Sequence, residues 1–225
     1  MKNKNNIILL LVLVLLISNG VLASEVNKSI NVFGIKKRSS AEAAQIDVQK
    51  AVNKTVMKSQ IASITTKINN TTSLYKSSVD NIIINLFPSE QLKNYNQEKQ
   101  KIKNNSGIVS VLNSDIAEYG TLRLNRFLKS YEAKDSFQNL TIAQKYAIKK
   151  NLLNLKYVSG SYTQIIEQAK ILTKQIKADK AAALELKADI VDLMKMQLVI
   201  TKQEKSVNKL IDNLIKSSSD AGLSL

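Results

Sequence analysis

The chain has 225 residues, no histidine, no cysteine and a formal net charge of +15. The absence of both residue types removes the usual ligands of zinc, copper and haem, the Ser/His/Asp and Cys/His catalytic arrangements, and disulfide bonds. Only three of the 33 basic residues are arginines and tryptophan is absent, so the composition favours a solvated lysine surface over a nucleic-acid interface.

The N-terminus has the pattern of a secretory signal peptide at residues 1–23. Lys2 and Lys4 precede an unbroken apolar run of 11 residues, and small side chains at Val21 and Ala23 suit signal peptidase. The run is shorter than the ~20 residues that cross a bilayer. We therefore expect cleavage after Ala23, no permanent membrane span, and a periplasmic or cell-surface location.

Residues 24–38 carry a basic cluster without a helical apolar repeat and are predicted to form a flexible arm. A helix is predicted to follow at about 40–75, because Ser39 and Glu42 have the spacing of a capping box. Its apolar stripe steps by four, three and four residues through Met57, Ile61, Ile64 and Ile68.

Residues 76–140 are interrupted by Pro88, Gly107 and Gly120 and are predicted to form a small helical or irregular appendage. Proline lacks an amide proton, so the apolar segment 82–87 should end at or just before Pro88. The apolar residues at 108–112 suit a brief strand or a buried helical turn, and we favour the helix.

Two further helices are predicted at about 141–158 and 162–216, with a break at Gly160. The second is predicted from an apolar seam, spaced by threes and fours, that contains 11 apolar residues and no glycine or proline. The seam consists of Ala169, Leu172, Ile176, Asp179, Ala183, Leu186, Ile190, Leu193, Gln197, Ile200, Glu204, Val207, Ile211 and Leu214.

These patterns predict an all-α fold. Residues 39–225 are expected to form a single elongated domain, a three-helix bundle with two long helices and the appendage. No catalytic, cofactor-binding or metal-binding residue is predicted.

Aromatic side chains concentrate in the predicted appendage. They either build its small core or include exposed anchors for a partner protein. Two of the three arginines lie beside them in the sequence. The candidate contact residues are Phe87, Tyr95, Tyr119, Arg123, Arg126 and Tyr131.

The order of signal peptide, long helix, irregular insertion and longer C-terminal helix resembles the minor pilus subunits of bacterial type IV secretion systems, the TrbJ-like and TraC-like proteins. The stretch from Leu172 to Leu210 is similar to that family's terminal helix, with alanines at 181–183, Leu186 with Ala188 and Ile190, and an end at 203–204. The resemblance implies an elongated three-helix bundle. It also implies a subunit of a conjugative or effector-delivering pilus that acts in pilus assembly and in adhesion to a recipient or host cell.

We therefore expect a non-enzymatic protein whose partners are other secretion-system subunits and a host or recipient cell-surface receptor, without nucleic acid. The alternative is a periplasmic coiled-coil scaffold or chaperone-like protein that binds a client or the envelope surface.

Overall fold

The computed structural model describes residues 40–105 and 109–224, and these residues form helices joined by short turns, without a strand. The prediction of an all-α helical bundle is confirmed. The helices are α1 (Ser40–Leu86), α2 (Ser89–Asn105), α3 (Val109–Phe127), α4 (Tyr131–Gln138), α5 (Ile142–Ala178), α6 (Lys180–Glu185) and α7 (Lys187–Asp220).

The chain divides into two compact units, Met1–Gln45 and Ile46–Leu225. Of the first unit, the structure describes only residues 40–45, which are the first residues of α1. The predicted signal peptide (1–23), the predicted arm (24–38) and the side chains of the Ser39–Glu42 capping box lie outside the described part.

Helices α5 and α7 form an antiparallel hairpin. The Tyr162 hydroxyl donates to Gln203 at 2.8 Å, and Thr173 accepts from Gln197 at 3.3 Å, so the pairing moves backwards along α7 as α5 advances. The predicted single helix over 162–216 is therefore wrong. The chain reverses at residues 179–186, and the seam is shared by two helices that face each other.

Asp179 and Leu186 make this reversal without glycine or proline. Asp179 leaves the helical conformation, with φ −90° and ψ 101°, and its carboxylate accepts the Ala182 amide at 3.1 Å. Leu186, between α6 and α7, is fully buried. The predicted break at Gly160 does not occur, because Gly160 lies inside the continuous helix α5.

Helix α1 packs antiparallel to α5. Lys67 donates to Gln168 at 3.0 Å, and the hydroxyls of Thr72 and Tyr162 lie 3.0 Å apart. The helix continues to Leu86 instead of ending near residue 75, so the described residues form three long helices where two were predicted. It ends just before Pro88, as predicted from the missing amide proton.

Helix α3 packs against α1 and α7, which differs from the predicted appendage. The hydroxyls of Tyr75 and Thr121 lie 2.6 Å apart, and Asn213 donates to Asn125 at 2.6 Å. A Cβ atom on Gly120 would lie 2.8 Å from Val79, so the glycine permits the close approach of α3 to α1. Residues 109–112 are helical, as favoured from the sequence.

The helix ends are capped by local sequence. Thr141 and Gln144 form a capping box at the start of α5, and the Gln144 amide also donates to the carbonyl of Asn85 at the end of α1. At the end of α7, Gly222 has φ +78° and Leu223 donates to the carbonyl of Ser218, which is a Schellman motif.

Ten of the 11 apolar seam residues are buried, and Ala183 is half-buried. The polar seam residues hold the hairpin together: Asp179 caps α6, Gln197 donates to Thr173, and Glu204 accepts from Thr163. The periodicity therefore identified the core side chains correctly although it misassigned the helices that carry them.

Candidate contact surface around Tyr119

Two of the six candidate contact residues, Phe87 and Tyr95, are buried and belong to the core. The Phe87 ring packs 4.7 Å from Phe127 and edge-to-face against Tyr95, with 6.4 Å between centroids. In this fold neither ring is an exposed anchor. Of the two interpretations left open by the sequence, the core interpretation holds for these two rings.

Asp80, Tyr95 and Lys99 form a buried polar cluster that fastens α2 to α1. The Asp80 carboxylate accepts one hydrogen bond from the Tyr95 hydroxyl and one from the Lys99 ammonium, the latter at 2.6 Å. The ammonium nitrogen also lies 5.6 Å from the centroid of the Tyr95 ring. Burial raises the pKa of Tyr95, and the Asp80 carboxylate raises it further. The cluster is a satisfied ion pair that positions Tyr95.

Tyr119 stacks on the outer side of Tyr95. The two rings are nearly parallel, with an interplanar angle of 5° and 5.7 Å between centroids. Tyr119 itself is only partly buried, so one part of the ring packs against the core and the rest is open to solvent. Its orientation is fixed by a ring that is itself held by Asp80.

Three basic side chains and the acidic Glu98 lie near Tyr119. Arg123 follows one turn later on α3 and is half-buried, and Arg126 is exposed. Lys101, on α2, pairs with Glu98 at 2.7 Å. Partial burial raises the pKa of Tyr119, and the nearby Arg123 guanidinium opposes this rise. We call Tyr119, Arg123, Arg126 and Lys101 the basic–aromatic surface.

A groove of about 440 Å³ between α3 and α7 adjoins Tyr119. Tyr119, Leu122 and Asn125 line one side, and Ser206 and Lys209 line the other. Leu122 is half exposed, so the groove offers an apolar contact beside the charged groups.

Tyr131, the remaining candidate, lies on α4 and exposes 89% of its surface. It is absent from the ring contacts that join Phe87, Tyr95 and Tyr119 in the described structure. The structure thus unites Tyr119, Arg123 and Arg126, places Phe87 and Tyr95 beneath them, and leaves Tyr131 as a separate exposed ring.

Sequence reasoning missed a polar network inside the bundle. Tyr162 bonds to Thr72 on α1 and to Gln203 on α7, and Gln203 donates to Ser114 on α3 at 2.6 Å. Burial raises the pKa of Tyr162 to about 12. The available signal was the polar Thr72 and Gln203 within otherwise apolar helix faces. Because each buried partner is satisfied, the network is structural.

No family model, curated sequence or solved structure matches this chain. Among the described residues, no group of three or more Asp and Glu side chains is arranged to hold a metal ion. No described helix has both the length and the apolar character needed to cross a bilayer.

Proposed function

We propose that the chain is a non-catalytic helical subunit that acts by protein–protein contact through the basic–aromatic surface. The observation that carries the proposal is the partly exposed Tyr119 ring, stacked on buried Tyr95, with Arg123 and Arg126 beside it. Tyrosine and arginine are the residue types enriched at binding hot spots. A ring already fixed in place loses little conformational entropy when a partner binds.

We further propose that this subunit is exported and joins the pilus of a type IV secretion or conjugation system, where it acts in assembly and cell contact. Support comes from the signal-like residues 1–23 and from the sequence resemblance of residues 172–210 to the terminal helix of minor pilus subunits, although in this fold those residues form the end of α5, α6 and the first part of α7. In this role the partners are other secretion-system subunits and a surface receptor on the recipient or host cell. No cofactor takes part.

The test is to shear cells that carry the protein and to ask whether it leaves with surface filaments. We expect the wild type to co-sediment with filaments and an Arg123→Glu/Arg126→Glu variant to remain in the periplasmic extract with an unchanged melting temperature. A Lys129→Glu/Lys134→Glu variant is the matched control, because it makes the same charge change on exposed residues nearby. The control should behave as the wild type.

Two outcomes would distinguish failure of the pilus role from failure of the contact surface. If the wild type itself is found only in the soluble periplasm, the pilus role is wrong and the scaffold alternative is favoured. If both variants sediment with filaments as well as the wild type does, the basic–aromatic surface is not the contact.

A further inference from the structure

Helix α5 carries a second apolar stripe on the side opposite its core face. Ile142, Tyr146, Leu153 and Tyr157 each expose more than half of their surface, and Ile171 exposes nearly half. Their spacings of four, seven, four and fourteen residues place them on one side of the helix, where exposed Gly160 and Gln164 occupy the line between Tyr157 and Ile171. The line extends over roughly 44 Å at ~1.5 Å per residue. Singly scattered exposed apolar residues are ordinary, but an aligned row is typical of a contact face.

The flanks of this stripe are basic. Helix α5 contains seven lysines and one acidic residue, Glu167, and no acidic residue lies between 142 and 160. At 100° per residue, Lys149 and Lys156 follow one edge of the stripe and Lys150 follows the other. In the described structure none of these three lysines has a carboxylate within ion-pair distance.

Gly160 lies in the stripe, three residues after Tyr157, and the fold gives no reason for a glycine there. A Cβ atom at Gly160 would meet nothing within 4 Å, whereas one at Gly120 would collide with Val79. Glycine inside a helix costs about 1 kcal/mol relative to alanine. A glycine on an open helix face lets a second backbone approach closely.

We propose that this α5 face, from Ile142 to Ile171, docks an amphipathic helix of another protein whose apolar face is flanked by acidic residues. The row of apolar side chains can contact a second helix that lies parallel or antiparallel to α5. The open space at Gly160 allows the rigid backbone of such a helix to approach closely, which fluid lipid would not require. Unpaired lysines on both edges select carboxylates. A second copy of the chain fits poorly, because it would bring these lysines against one another with Glu167 as the single acid on each helix.

The test uses the full chain and two synthetic amphipathic helices of about four heptads with identical leucine faces, one flanked by glutamate and one by lysine. Binding is measured by fluorescence anisotropy of the labelled peptides at low and high salt. We expect the glutamate peptide alone to bind, with a Kd that rises with salt.

Variants locate the site. We expect Gly160→Leu and Lys149→Glu/Lys156→Glu each to raise the Kd at least about tenfold. Lys205→Glu/Lys216→Glu is the control, because it makes the same charge change on exposed residues of α7, and it should leave the Kd unchanged. The Arg123→Glu/Arg126→Glu variant should also bind normally, which keeps this inference independent of the basic–aromatic surface.

Three results would overturn the proposal. The first is equal binding, or no binding, of the two peptides, and the second is binding that none of the α5 variants alters. The third is a different occupant of the face. It would be a lipid surface if phosphatidylcholine–phosphatidylserine vesicles bind the wild type but not the Lys149→Glu/Lys156→Glu variant. It would be a second copy of the chain if the wild type sediments as a dimer and the Gly160→Leu variant sediments as a monomer.

Discussion

Glycine occupies two helical positions with opposite surroundings. A Cβ atom at Gly120 would lie 2.8 Å from Val79 Cγ1 and 3.0 Å from the Tyr95 hydroxyl, and one at Gly160 would meet open space. Neither has a left-handed backbone, so steric room alone distinguishes them.

Alanine substitutions at these two positions should change stability in opposite directions. Gly160→Ala removes backbone freedom from the unfolded chain and should raise the free energy of unfolding by about 0.5–1 kcal/mol. Gly120→Ala overpacks the contact between α3 and α1 and should lower it by about 1–3 kcal/mol. Chemical denaturation followed by circular dichroism measures both. Equal effects of the two substitutions would contradict the different packing described for them.

Buried tyrosines make the fold sensitive to alkali. The folded state raises the pKa of Tyr162 from 10.0 to about 12, chiefly by burial, and burial also raises the pKa of Tyr75 and Tyr95. Between pH 10 and pH 12, Tyr162 releases its proton in the unfolded chain but keeps it in the folded protein. The contribution of Tyr162 to the free energy of unfolding is therefore fully present below pH 10 and is lost as the pH rises towards 12.

A Tyr162→Phe variant isolates this effect. It should be less stable than the wild type at neutral pH, because Thr72 and Gln203 each lose a partner. Its stability should also fall less steeply above pH 10, because one titrating group is gone. Denaturation midpoints at a series of pH values measure the stability at neutral pH and its slope above pH 10. Tyrosinate absorbance records the ionisation. Identical pH slopes would mean that Tyr162 ionises as freely in the folded protein as in the unfolded chain.

Helix α7 offers a matched pair of leucines on opposite faces. Leu193 is fully buried against the rest of the bundle, and Leu198 exposes 75% of its surface. Leu193→Asp places an unpaired charge in the core and should cost about 3–5 kcal/mol. Leu198→Asp adds the same charge to water and should cost less than about 0.5 kcal/mol. Thermal unfolding of both variants is the measurement, and similar losses would contradict the assigned burial of the seam.

At the scale of elements, apolar periodicity predicts which residues are buried but not the direction in which a helix runs. The spacing of the seam continues in register across residues 179–186, because α6 and the turns around it keep Leu186 in the core. The spacing predicts Asp179 as a polar seam residue, and no proline or glycine lies near it to indicate a helix end. Gly160, by contrast, predicts a helix end, although helix α5 continues through it.

The sequence predicts which candidate contact residues lie together but not which of them are exposed. Spacing along α3 places Tyr119, Arg123 and Arg126 on one side of the helix, and they do lie together. The exposure of Phe87 and Tyr95 depends on how α2 and α3 cover α1, which is tertiary information that no local pattern contains. The seam does not identify the exposed row on α5, because the seam follows the opposite, buried side of that helix.

Across the whole molecule, positive charge exceeds negative charge by 15. Most ion pairs in the described structure are exposed, such as Lys50–Asp47 and Lys195–Asp192, and contribute little. Added salt therefore screens more repulsion than attraction.

We expect the melting temperature to rise by about 2 to 4 °C for each ~1 kcal/mol of repulsion that is screened between low salt and ~0.15 M sodium chloride. Sucrose at the same osmolality is the control for effects that do not depend on charge. A melting temperature that falls on adding salt would show that ion pairs outweigh the lysine repulsion.

The antiparallel hairpin also determines how the second unit bears mechanical load. Lys54, near the start of this unit, pairs with Glu185 at the hairpin turn, whereas Ser217, near the C-terminus, bonds to Leu128 at the opposite end of the helices. Tension applied between residues 46 and 224 thus acts along the helix axes. Sliding α1 past its neighbours must break the rows of interhelical contacts together, whereas peeling a helix away breaks them one after another. Traction at its two ends is the direction in which this unit should be hardest to pull apart.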